Sequence, residues 1–185
     1  MADSEFAQAL ALRLLHVPKE APICEKCGQI SGFKHIEAYR VAEKGTIYRH
    51  DIIRTAIAKA YKSIPGTKVA EEIEVEGGLR TDIRVTNQQA NIQHYDVTIV
   101  SINTLANQER PPQEVLTSIA LEKKAKYKQL GRQFSPIVLS IGGLMEKETA
   151  GDYKRLQIAS RNATYLDSYL AITLAKARAR PYLRG

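Results

Sequence analysis

No apolar run in this sequence approaches the roughly 18 residues that a membrane-spanning helix needs, so the sequence predicts no membrane partner. The N-terminus lacks the basic stretch and the apolar stretch of a secretory signal peptide, which favours an intracellular protein. There are only two cysteines, Cys24 and Cys27, and they have a C-x-x-C spacing. In a reducing compartment this spacing indicates metal or redox chemistry rather than a disulfide.

The positive charge of the chain is concentrated in its last third. At 185 residues, with 44% hydrophobic and 25% charged residues, the chain fits one globular domain with its own core. Residues 121–185 hold 13 Lys and Arg against 5 Asp and Glu, whereas residues 1–120 hold 14 against 15, so the net charge of +7 comes from the C-terminal part. A localised basic surface is typical of a protein that binds nucleic acid. The alternative is a pair of solvated helices whose lysines serve solubility.

Apolar periodicity and turn residues predict an α/β fold with a mixed sheet of about four strands flanked by helices. The predicted helices and strands follow the order helix, three strands, helix, strand, helix after a short N-terminal helix. The predicted ranges are helix 4–15, an irregular segment 16–40, helix 51–64, strands 68–75, 79–85 and 92–102, helix 111–130, strand 136–141, and a helical pattern over most of 146–178.

Two aspartates on neighbouring predicted strands form the candidate acidic site. Asp82 and Asp96 are separated by thirteen residues, and both lie in short apolar stretches joined by a polar turn. Carboxylate oxygens are the ligands that Mg²⁺ prefers in proteins, and Mg²⁺ takes only one or two of them. A carboxylate inside a central strand is costly unless it is paired or binds a metal. The alternative is that the two aspartates form ion pairs with Arg80 and Arg84.

Two lysines interrupt the apolar stripe of the helix predicted over 111–130. The stripe begins at Val115 and Ile119, and its next positions are Lys123 and Lys126. A charged group on a face that packs against the sheet needs an acidic partner, and the two aspartates would supply one. A lysine there could stabilise charge that develops on a phosphate, and Lys123 is favoured because Ile119 backs it. The alternative is that the helix rotates and both side chains extend to solvent.

Together these motifs resemble the restriction-like endonuclease domain that follows the reverse transcriptase in site-specific non-LTR retrotransposons. The resemblance covers roughly residues 10–175. The matching elements, in order, are Cys24, Cys27 and His35 of a cysteine/histidine knuckle, Arg49-His50-Asp51, Asp82, Asp96, and the helix motif Lys123, Lys126 and Tyr127.

The resemblance implies a fold and an activity. The fold would be the restriction-endonuclease-like, or PD-(D/E)xK, core over residues 49–185 with basic C-terminal helices, preceded by an N-terminal helix and the knuckle in residues 1–48. The activity would be Mg²⁺- or Mn²⁺-dependent nicking of double-stranded target DNA, which primes reverse transcription. The protein would then be nuclear, with a reverse transcriptase on the same parent polyprotein as its partner.

The resemblance also implies roles for individual residues. Asp82 and Asp96 would hold the catalytic metal, with Glu72 as a further ligand or one of several solvated hairpin glutamates. The catalytic lysine would come from the helix, because the (D/E)xK position of the strand is Thr98 here. The residues that would contact DNA are Arg49, His50, Lys124, Tyr127, Lys128 and Arg132.

Two departures from the family pattern affect the knuckle and the first aspartate. Thr81 replaces the proline that precedes Asp82 in the family, and Arg40 stands where the family has a further cysteine. A closed structural zinc site needs four ligands, and Cys24, Cys27 and His35 supply three. His50 is the nearest fourth candidate, although it could instead contact a DNA phosphate or cap the helix it opens.

Two other functions fit the same sequence. One is a different nuclease of this fold, resembling a Holliday-junction resolvase or a restriction enzyme, which would act as a symmetric dimer. The other is a DNA-binding module whose catalysis has decayed. The presence of both aspartates and both lysines argues against the decayed module, because loss of catalysis should have allowed at least one of them to change.

Overall fold

The computed structural model describes residues 43–102, 104, 107 and 109–179, together with the isolated positions Ala7 and Ile23. The helices and strands follow the predicted order along the described chain, with two helices in the last range that was predicted to be helical. They are α1 (Glu43–Lys62), β1 (Lys68–Val75), β2 (Leu79–Thr86), β3 (Ile92–Val100), α2 (Pro112–Lys126), a 3₁₀ segment (Lys128–Gln133), β4 (Phe134–Ser140), α3 (Lys147–Ser160) and α4 (Ala163–Ala179).

The four strands form one mixed sheet in the order β1-β2-β3-β4. The first three strands are antiparallel neighbours, and β4 lies parallel to β3 after the crossover through α2. The β1–β2 hairpin turns at Gly77 and Gly78, whose φ angles of 83° and 69° lie in the left-handed region that glycine tolerates best. The predicted α/β class, with a four-stranded mixed sheet flanked by helices, is confirmed.

Helices cover both faces of the sheet. On β4, Ile137 and Leu139 belong to a large apolar cluster with α1, α3 and α4, whereas Val138 belongs to a smaller cluster with Leu116 and Ala120 of α2. Successive strand residues point to opposite faces, so α2 lies on the face opposite the other three helices. On β3, the odd-numbered positions around Val97 face the large cluster. Asp96 therefore faces α2.

The helix that carries the Arg49-His50-Asp51 motif is longer than predicted. It begins at Glu43 rather than at Asp51, so the motif lies within α1 instead of opening it. The predicted division between residues 48 and 49 therefore falls inside a continuous helix. Two segments predicted before α1 lie outside the described residues, namely the helix over 4–15 and the cysteine/histidine segment. The exceptions are the isolated positions Ala7 and Ile23.

The crossover helix is shorter than predicted, because α2 ends at Lys126 and a 3₁₀ segment follows. The non-helical backbone at Gly131, with φ 53° and ψ −126°, interrupts that segment before β4 starts at Phe134. Among the described helices, none is long and apolar enough to cross a bilayer.

Candidate active site

Strands β2 and β3 separate at the two aspartates. Their pairing runs from Thr86 opposite Ile92 to Ile83 opposite Tyr95, and Asp82 and Asp96 are the next residues along each strand. Beyond that point the backbone N–H of Val97 donates to Oδ2 of Asp82 at 2.6 Å. A side-chain carboxylate thus replaces a main-chain acceptor at the opening. We call this opening, with Asp82 and Asp96 on its two sides, the strand fork.

Asp96 is almost fully buried, with 6% of its surface exposed, and three groups from the chain surround its carboxylate. The ammonium of Lys123 lies 2.7 Å from Oδ2, and the hydroxyl of Thr98 donates to the same oxygen at 3.2 Å. The hydroxyl of Tyr127 lies 2.9 Å from Oδ1. A buried carboxylate needs such partners to offset its lost hydration. The predicted meeting of a helix lysine with the acidic site is thus present for Lys123.

Tyr127 directly follows α2 as its C-cap residue and joins the helix to the strand fork. Its side chain is 1% exposed, and its ring stacks on Phe134 with a centroid distance of 4.4 Å. Its hydroxyl proton has two acceptors, the carbonyl oxygen of Arg80 at 2.6 Å and Asp96 Oδ1 at 2.9 Å. Burial, followed by the nearby charge of Asp96, raises the pKa of Tyr127, which keeps the hydroxyl protonated as a donor. This buried position differs from the prediction that Tyr127 contacts DNA.

Asp82 is held from α1 by His50. Nε2 of His50 lies 3.0 Å from Asp82 Oδ2, and Nδ1 lies 3.3 Å from Asp51 Oδ1. Burial acts to raise the pKa of Asp82, but the hydrogen bonds from His50 and from the Val97 N–H, with the charge of Lys123, outweigh it and leave the pKa lowered. The hydrogen bond to Asp82 raises the pKa of His50 against the opposing effect of burial. Both shifts favour the charged pair.

The other predicted basic residues lie on α2, on the 3₁₀ segment and on α1. Lys126 is exposed and lies over the ring of Tyr127, 5.0 Å from its centroid, and Lys124 pairs with Glu148 at 2.6 Å. Lys128 and Arg132 are exposed on the 3₁₀ segment. Arg49, another predicted DNA contact, is instead only 9% exposed within α1.

Glu72 belongs to an ion-pair cluster on the outer strand. Its carboxylate contacts Arg54 of α1, and Arg80 Nη1 lies 3.6 Å from it. Arg54 also lies 3.7 Å from Glu71. Arg80 thus directs its guanidinium to Glu72, while the two aspartates take His50 and Lys123 as partners. The described contacts therefore do not support the alternative in which Arg80 and Arg84 form ion pairs with the aspartates.

Thr81 and His94 have structural roles beside Asp82 that the sequence analysis did not predict. Thr81 is fully buried, and its hydroxyl lies 3.0 Å from Nδ1 of His94 and 3.5 Å from the carbonyl oxygen of Ile73. It therefore joins β2 to both neighbouring strands beside Asp82, which a proline could not do. Burial and the charge of Arg84 lower the pKa of His94. The only sequence signal was that His94 and Asp96 share a strand face.

The donor set at the fork fits a hard divalent cation. Asp82 and Asp96 offer carboxylate oxygens, and Mg²⁺ is commonly held by one or two carboxylates with water and substrate phosphate completing its shell. Within residues 43–102, 104, 107 and 109–179, no group of three or more His, Cys, Asp and Glu is arranged to hold a metal by itself. The predicted zinc ligands Cys24, Cys27 and His35 lie outside the described residues.

Two comparisons with known proteins found no relative of this chain. No protein-family model matches the chain, and no curated protein matches it significantly. The residues at the strand fork and the basic side chains of the C-terminal part are therefore the basis for inferring a function.

Proposed function

We propose that this protein is a metal-dependent DNA endonuclease with its active site at the strand fork. The observation that carries the proposal is the position of Asp82 and Asp96 where β2 and β3 stop pairing, with the ammonium of Lys123 2.7 Å from Asp96. In a metal-dependent phosphodiesterase, carboxylates hold the divalent cation. A lysine can stabilise the charge that develops on the phosphate.

Each group at the fork has a distinct task in this proposal. Asp82 and Asp96 would hold Mg²⁺ or Mn²⁺, which when bound supplies Lewis-acid activation of water and of the phosphate. Lys123 would stabilise negative charge that develops on the phosphate, because its ammonium is fixed at the Asp96 carboxylate before substrate arrives. Tyr127 orients Asp96 through its buried hydroxyl. The chain thus provides binding and preorganised charge in one place.

The surface beside the fork suits a nucleic-acid backbone. Lys126, Lys128 and Arg132 are exposed along the end of α2 and the 3₁₀ segment, directly after Lys123 in the chain. Residues 121–185 carry the whole positive surplus, with 13 basic against 5 acidic residues. Contacts from such side chains to phosphates give affinity that does not depend on base sequence.

The finer proposal is a nuclease of the restriction-endonuclease-like fold that nicks target DNA for a non-LTR retrotransposon. The mixed sheet with one parallel crossover agrees with that fold, and the order of the sequence motifs supports the element type. In this proposal the double-stranded DNA substrate is nuclear, and a reverse transcriptase from the same polyprotein extends the nicked strand.

A plasmid assay tests the proposed activity. Purified protein is incubated with supercoiled plasmid and Mg²⁺, Mn²⁺ or EDTA, and nicked circles are expected only with a divalent cation. Asp82→Asn and Asp96→Asn should each abolish nicking, whereas Asp167→Asn on α4, which removes a carboxylate bonded to Tyr153, should nick normally. Plasmid that is bound but never cut would favour the decayed DNA-binding module instead.

A further inference from the structure

The imidazole of His50 lies between two carboxylates, and each of its nitrogens faces one of them. Nε2 lies 3.0 Å from Asp82 Oδ2 and Nδ1 lies 3.3 Å from Asp51 Oδ1. His50 and Asp51 belong to α1, whereas Asp82 belongs to β2, 32 residues later than His50. The contact therefore fixes a helix to one side of the strand fork.

We propose that His50, oriented by Asp51, is a positioning residue that aims the carboxylate of Asp82 at the metal. The proposal rests on the endonuclease function proposed above. Oδ2 of Asp82 accepts from His50 and also from the N–H of Val97 at 2.6 Å. Two donors occupy the two lone pairs of that oxygen, so Oδ1 is the oxygen of Asp82 that would be left for a cation.

Asp51 has a separate task in this arrangement. A histidine that donates one N–H to a carboxylate can still rotate unless its second nitrogen is also bonded. The Asp51 carboxylate fixes the second nitrogen of His50, and with it the ring orientation. Outer residues of this kind change metal affinity by about 10- to 100-fold when they are removed.

This geometry assigns His50 a role different from those that its sequence position offers. A zinc ligand must present a nitrogen lone pair to the metal, and both nitrogens of His50 already face carboxylates. A DNA contact would require a nitrogen directed at a phosphate. A helix cap would require His50 to begin α1, which begins at Glu43.

Manganese binding measured by calorimetry, without DNA, tests the proposal independently of activity. His50→Ala should weaken Mn²⁺ binding by about 10- to 100-fold. His50→Gln, whose side-chain amide can still donate to Asp82, should recover most of that loss. Asp51→Asn should weaken binding by a smaller factor, and Lys59→Ala, on an exposed position of α1, should bind like the unaltered protein. Circular dichroism checks that each variant is folded.

Nicking measured over a range of Mn²⁺ concentrations completes the test. His50→Ala should need more Mn²⁺ for half-maximal nicking but approach the normal rate at saturation. If His50→Ala keeps its Mn²⁺ affinity but binds DNA more weakly, His50 is a DNA contact and the proposal is wrong. The proposal is also wrong if His50→Ala has normal Mn²⁺ affinity but a nicking rate that stays low at saturating Mn²⁺. If the unaltered protein neither binds Mn²⁺ nor nicks, the endonuclease function itself fails. If it nicks and His50→Ala behaves identically, only the positioning role fails.

Discussion

The ammonium of Lys123 lies 2.7 Å from Oδ2 of Asp96, whereas the ammonium of Lys126, three residues later on the same helix, lies over the Tyr127 ring, 5.0 Å from its centroid. One lysine thus contacts a carboxylate of the strand fork, and the other remains at the surface. This difference predicts separate functions for two residues that the motif alone leaves equivalent.

The first prediction separates those functions by single-turnover kinetics at saturating protein. Lys123→Ala should lower the nicking rate by about 100-fold or more, because a preorganised charge at the phosphate is lost. Its affinity for DNA should change little. Lys126→Ala should retain the single-turnover rate and bind DNA more weakly, with a shallower dependence of affinity on salt. The opposite pattern, an inactive Lys126→Ala and a normal Lys123→Ala, would exchange the two roles.

A second prediction concerns Glu72, which the sequence offered as a further metal ligand. Its carboxylate contacts Arg54 and also Arg80, both of which are positively charged. A carboxylate held by two guanidinium groups is poorly available to a cation. Glu72→Gln should therefore nick plasmid with the normal Mg²⁺ requirement, while Asp82→Asn does not nick at all. A large increase in the Mg²⁺ concentration that Glu72→Gln needs would restore Glu72 to the ligand set.

The third prediction tests the buried hydroxyl that joins α2 to the fork. Tyr127→Phe removes the donor shared by the Arg80 carbonyl and Asp96, and deprives the buried Asp96 carboxylate of one of its partners. The expected loss is about 1–3 kcal/mol in the free energy of unfolding, measured by urea denaturation. Tyr165→Phe is the matched control, because Tyr165 is 59% exposed, and it should change the stability by less than about 0.5 kcal/mol. Equal effects of the two substitutions would remove the special role of the Tyr127 hydroxyl.

The strands could be predicted from the sequence because their signals are local. The range 68–75 is predicted for β1 and observed, since Pro65-Gly66 precedes it and Gly77-Gly78 turns the chain after it. The start of α1 could not be predicted in the same way. Residues before Asp51 include Gly45 and Thr46, which are weak helix formers, and Asp51 itself resembles an N-terminal cap. The burial of Arg49 indicates that tertiary packing extends the helix.

The residue types of the candidate site and the contact of a helix lysine with an aspartate were predictable, whereas its other contacts were not. Strand alternation and the interrupted apolar stripe identified Asp96 and Lys123, because each breaks a local pattern. The contact between His50 and Asp82 spans 32 residues and depends on how α1 packs on the sheet. No local pattern encodes that packing. The same holds for the bond between Thr81 and His94, which requires the register of two strands.

The last prediction concerns zinc, and it separates the knuckle from the strand fork. If Cys24, Cys27 and His35 bind zinc, the purified protein should contain about one equivalent by elemental analysis, and chelation should lower its melting temperature. Cys24→Ser should then lose the metal, because a thiolate ligand is removed. His50→Gln should keep it, because the imidazole of His50 is engaged by Asp51 and Asp82.

The two substitutions together decide where the fourth ligand lies. Zinc lost from both variants would mean that His50 leaves Asp82 to complete the knuckle, and the positioning role proposed for it would be wrong. If only Cys24→Ser loses zinc, the fourth zinc ligand is a residue other than His50. The knuckle and the strand fork would then be independent metal sites. Metal-free protein with an unchanged melting curve after chelation would contradict the predicted knuckle, while the prediction for Asp82 and Asp96 would stand on the plasmid assay alone.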